Sequence, residues 1–174
     1  MAFVLVALVV VLADQLSKWW MVDRLCLGGK IPLGVLDLHL EHNTGAAFSI
    51  LPHAGSLLIV VPSLIVMTIL LTLKHLRKED PALMLPLAMI TGGAIGNLID
   101  RLRLGYVVDF IDFRWWPDFN LADSCICIGA SLFVWYLLRN KDRVMSPPTL
   151  AAAMCSDDGG TPSLAGREPA SLTQ

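Results

Sequence analysis

Four apolar runs decide what this chain can fold into: Met1 to about Trp20, Leu57 to Leu73, Pro81 to about Ile99, and Leu121 to Leu138. Each approaches the roughly 20 residues that a helix needs to cross a hydrocarbon core of about 30 Å. Lipid offers backbone N–H and C=O groups no water to turn to, so only helices and closed barrels span it. None of the four runs shows the strict alternation of barrel strands. Composition agrees: 55% of the 174 residues are hydrophobic and 16% charged, too few charges to cover that much apolar surface in water. The reading is an all-α membrane protein with four transmembrane helices. A net charge of −2 and the absence of any Lys/Arg tract leave nothing to hold a polyanion, which argues against nucleic acid as a partner.

Met1 to Ala13 lacks a basic leader, and Asp14, Gln15 and Lys18 stand where a cleavage site would be expected, so this run reads as a retained span rather than a secretory signal. Lys74, Arg77 and Lys78 in the short second link, with Arg139, Lys141 and Arg143 after the fourth run, place those two regions and both termini on the cytoplasmic side. Arg24, Lys30, Arg101, Arg103 and Arg114 on the opposite side weaken that bias. Trp19, Trp20, Trp115, Trp116 and Trp135 fall near predicted helix ends, as interfacial anchors do. Between the first two runs, Leu36, Leu38 and Leu40 alternate with Asp37, His39 and Glu41, the period of a half-buried strand, and Asn43-Thr44-Gly45 then turns the chain. Tyr106 to Phe113 has a similar strand-like composition, with Asp109 and Asp112 on opposite faces. Residues 1–143 are read as the transmembrane domain, and 144–174, rich in Pro, Gly, Ser and Ala, as a disordered cytoplasmic tail. Cys26, Cys125, Cys127 and Cys155 form no CxxC pair and no zinc site.

Ionisable groups at a membrane boundary are costly and are kept mostly where they act. Asn97, Asp100 and Arg101 stand at i, i+3 and i+4 and so share a face at the end of the third run. They are either a polar helix end with Arg101 reaching for the interface, or a group that orients a carbonyl or a lipid phosphate. Asn120 and Asp123 fit a capping box at the start of the fourth run. Asp109, on the preceding extended loop, adds a second carboxylate at a similar depth. Two carboxylates that converge there would share one proton, one taking a proton from water while the other protonates a peptide carbonyl, which is aspartic protease chemistry. The field of a helix N-terminus favours the charged form of Asp123, leaving the proton on Asp109 at rest. Asp14 and Lys18 lie one turn apart, an i,i+4 ion pair with the lysine extending to the interface and Asp14 in a supporting role. Ser17 and Lys18 are adjacent and diverge on a helix, and His39 and His42 lack the spacing of a zinc protease, so neither a Ser/Lys pair nor a metal is expected.

The blocks DQLSK from Asp14, EHNTGAAFS from Glu41, GNLIDRLRLGYVVDF from Gly96 to Phe110 and FNLADS from Phe119 to Ser124, in that order, resemble those of the lipoprotein signal peptidases. These are aspartic proteases of the bacterial inner membrane. The resemblance implies four transmembrane helices, a small extracytoplasmic β-rich cradle and an outer loop or helix over the site. It implies Asp109 and Asp123 as the catalytic pair, with Asp14, Asn43, Asn97, Asp100, Arg101, Asn120 and Ala122 shaping or supporting the pocket. It further implies cleavage of diacylglyceryl-modified prolipoproteins just before the lipid-bearing cysteine, with no metal or organic cofactor; the expected partners are that substrate and membrane lipids, and a monomer is favoured although the sequence does not set the oligomeric state. Gly92, Gly93, Ala94 and Gly96 would admit a close helix, either the departing signal peptide or another helix of the same bundle. The main rival is a small proton-coupled exporter, which needs a carboxylate inside the bundle open alternately to both sides. Here the carboxylates gather at one boundary. A noncatalytic membrane subunit would carry these charges to no purpose.

Overall fold

The structure, a computed structural model, describes residues 1–25, 29–45, 54–79 and 81–141, with backbone only for 54, 55 and 74–79. In chain order it contains α1 (Ala2–Arg24), β1 (Lys30–Pro32), β2 (Asp37–Asn43), α2 (Ala54–Glu79), α3 (Met84–Leu104), β3 (Val107–Asp112) and α4 (Leu121–Arg139). A 3₁₀ turn, Pro81–Leu83, leads into α3. All four α-helices are long and apolar enough to cross a membrane, and Met1–Arg139 forms one compact unit. The expected tail at 144–174 lies outside the described residues, as does 46–53 between β2 and α2. Among the described residues no further helix answers to the outer segment expected over the site.

The helices outrun the apolar windows that announce them. α1 continues to Arg24 and α3 to Leu104, because hydropathy marks where lipid ends and not where backbone hydrogen bonding stops. The end of α3 is set by Gly105, whose φ of 83° is the left-handed conformation that costs glycine little, and whose N–H donates to the Arg101 carbonyl at 3.1 Å. Pro86 falls in the first turn of α3, where an N–H would have no helical partner in any case.

α3 is the central helix, packed against α1, α2 and α4. Its small residues make this possible. A Cβ added at Gly92 would lie 2.8 Å from the Ala7 carbonyl oxygen of α1, and one at Gly93 2.5 Å from the Ala122 carbonyl oxygen of α4. Gly129 of α4 answers in kind, 2.8 Å from the Pro86 carbonyl oxygen. The glycine run therefore packs the protein's own helices. α2 turns Leu57, Val60, Leu64 and Leu71 outward, as expected of a helix that lines lipid.

Two apolar clusters close the bundle. Phe3, Ala7, Ile69, Leu83, Leu87 and Ala88 pack around the start of α1 and of α3. Met21, Leu25 and Phe110, with Leu38 and Leu40 against them, join the end of α1 to a three-stranded antiparallel sheet of order β1-β2-β3. β1 has three residues and a proline, too short for any alternation to announce it. β2 and β3 answer to the two strand-like stretches of the sequence. Their register pairs Asp37 with Asp112 and Leu38 with Ile111, then slips before resuming with Glu41 opposite Asp109. This irregularity puts Asn43, two residues beyond Glu41 on the same face, diagonal to Asp109.

Candidate active site

Between the two apolar clusters lies a buried polar layer contributed by α1, α3, β2, β3 and the start of α4. Asp109 on β3 is 1% exposed. Its Oδ2 accepts from Asn43 Nδ2 at 2.8 Å and its Oδ1 from Asn120 Nδ2 at 2.7 Å. Asn43 is itself oriented by its turn, because its Oδ1 accepts the Gly45 N–H. Asp123 sits half-buried in the first turn of α4, and the reciprocal capping box is formed: Asn120 Oδ1 accepts the Asp123 N–H at 3.0 Å, and Asp123 Oδ2 accepts the Asn120 N–H at 3.3 Å. The capping reading of Asn120 is realised. One carboxamide caps α4 through its oxygen and reaches Asp109 through its nitrogen.

Asn97 completes the bridge. Its Nδ2 donates to Asp123 Oδ1 at 2.7 Å, while its Oδ1 accepts from Asn120 Nδ2 at 3.1 Å. Asp109 and Asp123 thus belong to one hydrogen-bonded cluster held by two asparagines. Burial pushes the Asp109 carboxyl up to about 6; the two amide donors work against that rise and the neighbouring Asp123 charge adds to it. Arg101, half-buried on the last turns of α3, lies in the field of Asp123, Asp109 and Asp100. It shares a face with Asn97 and Asp100, as the i, i+3, i+4 spacing predicts.

The remaining residues of the expected set include Asp14, Ala122 and Asp100, all buried. Asp14 is fully buried; its Oδ1 accepts the Ala122 N–H of α4 at 3.0 Å. Ala122 is likewise fully buried, against Gly93 and Gly96 of α3, so a larger side chain has no room there. Asp100 Oδ2 accepts the Val108 N–H at 3.3 Å and so ties the start of β3 to α3. One expectation needs correction. Lys18 does pair with Asp14, at 2.9 Å, but it does not extend to the interface: it is 4% exposed and turned inward to Asp100 at 2.8 Å and Asn97 at 3.0 Å. Three acceptors inside the bundle outcompete the membrane surface for its three N–H groups. Gln15 was not singled out from the sequence, yet its Nε2 donates to Asp100 Oδ1 at 2.9 Å and to the Gly96 carbonyl at 3.2 Å. Lys18 falls in the buried stripe of α1, in which Phe3, Ala7, Val10, Asp14, Lys18 and Met21 recur at three- and four-residue steps, but α1 is apolar all round, so its sequence does not mark that face as the inward one.

The far end of the sheet is a separate charge cluster. Arg114, at a φ of 63°, grips Asp37 with Nε and Nη2, both at 2.9 Å, and Lys30 pairs with Asp37 and Asp112. Arg114 and then Lys30 hold the Asp37 carboxyl well below the usual carboxylate range. Asp112 thus faces away from Asp109, as the alternation predicts. His39, Glu41 and Asp118 place ligand atoms within 4.8 Å of one another, a grouping that could hold a metal ion and that contains neither Asp109 nor Asp123.

The chain as a whole is similar to known proteins. Residues 6–139 match the family model described as signal peptidase (SPase) II. A lipoprotein signal peptidase of Pelotomaculum thermopropionicum is 43% identical over 143 residues, covering 81% of this chain and 93% of its own. One from Moorella thermoacetica is 44% identical over 140 residues, covering 79% and 93%. Among solved structures, a bacterial membrane enzyme determined by the in meso method at 1.9 Å resolution superimposes with a TM-score of 0.71 at 28% identity, covering 80% of this chain and 94% of its own.

Proposed function

This chain belongs to the signal peptidase II family, and from that premise we propose that Asp109 and Asp123 are the catalytic pair with which it cuts lipidated precursors. It is a multi-pass membrane protease that removes the signal peptide from prolipoproteins, cleaving before the lipid-bearing cysteine. The observation that carries the proposal is the joining of the two carboxylates, from β3 and α4, through Asn97 and Asn120 in one cluster. A water held between them loses a proton to one carboxylate as it attacks the scissile carbonyl, and the other carboxyl protonates the carbonyl oxygen. Asp109, whose pKa is pushed up to about 6, is the member that takes up the shared proton as pH falls through that value. Arg101 supplies a planar fork of donors for the substrate carbonyl or a lipid phosphate.

Lys74, Arg77 and Lys78 put the α2–α3 link on the cytoplasmic side. The cluster, at the other end of α3, then opens on the extracytoplasmic side, and four spans return both termini to the cytoplasm. A substrate anchored by acyl chains is already confined to that depth, so membrane position does part of the work of selecting it. Nothing in the geometry favours an exporter.

The test uses purified protein and a lipidated precursor, comparing Asp109→Asn and Asp123→Asn with wild type. Each variant keeps the shape and a hydrogen-bond acceptor. The expected result is a fall in cleavage of about a thousandfold or more with nearly unchanged thermal stability. Cleavage persisting in both variants refutes the pair.

A further inference from the structure

We infer that Lys18 is a positioning residue for Asp123: its buried ammonium dictates which way round the Asn97 carboxamide sits, and so makes the hydrogen bond that holds Asp123. The inference rests on the reading of Asp109 and Asp123 as the catalytic pair and gives a role to a residue bonded to neither.

An ammonium has three N–H donors and no acceptor. Those of Lys18 meet Asp14 Oδ2 at 2.9 Å, Asp100 Oδ2 at 2.8 Å and Asn97 Oδ1 at 3.0 Å, with the side chain 4% exposed. The Asn97 oxygen must therefore face α1, which leaves Nδ2 to donate to Asp123 Oδ1 at 2.7 Å. A reversed amide would set NH₂ against the ammonium and oxygen against a carboxylate, two repulsive contacts in a largely buried layer. The same orientation lets Asn97 Oδ1 accept from Asn120 Nδ2 at 3.1 Å, the nitrogen that also donates to Asp109. One fixed cation thus sets the direction of hydrogen bonding through both asparagines. Its charge acts as well. The charged groups of the layer around it are Asp14 on α1, Asp100 and Arg101 on α3, Asp109 on β3 and Asp123 on α4, and Arg103 of α3 lines the same cavity as Lys18 and Asp100. The Lys18 charge favours the ionised form of Asp109.

The experiment compares Lys18→Met, Lys18→Met/Asp100→Asn and Asp123→Asn with wild type as purified full-length proteins, cleaving a lipidated precursor peptide across pH. Lys18→Met is expected to lower kcat about 10- to 100-fold with KM within about twofold, the signature of a misplaced group rather than lost binding. The alkaline limb of its kcat/KM profile moves to higher pH, because a charge favouring ionised Asp109 is gone. The double variant removes one charge of each sign, so the fold carries fewer buried unpaired carboxylates. Its alkaline limb returns toward wild type while kcat stays low, since Asn97 is still unanchored. Wild-type kcat in either variant overturns the inference, and so does a lowered kcat in Lys18→Met with an unmoved pH profile, which marks a merely structural lysine. If Lys18→Met does not fold, the kcat of the double variant decides. Asp123→Asn separates the two failures: full cleavage by that variant defeats the catalytic pair itself, whereas its inactivity beside fully active Lys18 variants defeats only the role of Lys18.

Discussion

Removing the Asp14 carboxylate should loosen the enzyme where α4 begins. Asp14 is fully buried: Oδ2 pairs with Lys18 at 2.9 Å and accepts from Gln15 Nε2 at 3.2 Å, and Oδ1 accepts the Ala122 N–H in the first turn of α4 at 3.0 Å. Breaking a buried ion pair from one side costs about 3–5 kcal/mol. Lys18 keeps Asp100 and Asn97 as partners, so the low end applies, about 3 kcal/mol. An N–H left bare in a buried place adds about 1 kcal/mol or more. Asp14→Ala is therefore expected to cost about 4 kcal/mol, and Asp14→Asn, which retains an acceptor for Ala122, about 1 kcal/mol less. Asp23, exposed on the same helix, is the control, and Asp23→Ala should stay within about 0.5 kcal/mol of wild type. Equilibrium unfolding of the purified proteins in detergent reads all three. A loss below about 1 kcal/mol for Asp14→Ala would refute the reasoning, and equal losses for Ala and Asn would remove the capping role while leaving the ion pair.

Gly93→Ala should destabilise by about 1–3 kcal/mol in the same assay, because the new methyl meets the Ala122 backbone oxygen at 2.5 Å and neither helix can give way alone; a neutral result contradicts the close approach of α3 and α4. With the shared proton on Asp109, kcat/KM should fall as pH rises through about 6. Asn43→Ala should move that limb to higher pH, since it removes a donor that favours the ionised carboxylate; a downward move in the pH–rate profile contradicts the assignment. Asp37, held below its ordinary pKa chiefly by Arg114, contributes stability that is present above its unfolded pKa and lost as pH falls toward the depressed folded value. Arg114→Ala should therefore speed hydrogen exchange in β1 and β2 at pH 7, with the gap from wild type closing below about pH 4; a gap that does not narrow in acid points to packing rather than charge.

Much of this was legible in one dimension. The four spans follow from apolar runs of the right length, the strand β2 from its alternation and β3 from its strand-like composition, and the capping box from Asn120 and Asp123 three residues apart. The face shared by Asn97, Asp100 and Arg101 follows from helical spacing alone. The inward turn of Lys18 escapes the sequence for a physical reason. On an amphipathic helix the polar face points outward and betrays the inward one, but α1 is apolar on every side, so a lysine in it carries no sign of direction. Only Asp100 and Asn97, some eighty residues away in sequence, show that it points in. Gln15 was silent for the same reason.

By itself the sequence determined the solvent of each segment and the local conformation that solvent imposes, because hydrophobic length and period act within a few turns of chain. It also carried the chemical groups of the site, in blocks specific enough to point to the family. Tertiary structure alone decided which groups meet: that the glycines of α3 receive α1 and α4, that the slip in β2 aims Asn43 at Asp109, and that Asn97 and Asn120 bridge Asp109 to Asp123. Those contacts join residues far apart along the chain. Each depends on which atom of an amide or carboxylate faces which neighbour in a buried layer, and that choice is made by packing and hydrogen bonding across helices, with no trace in local sequence.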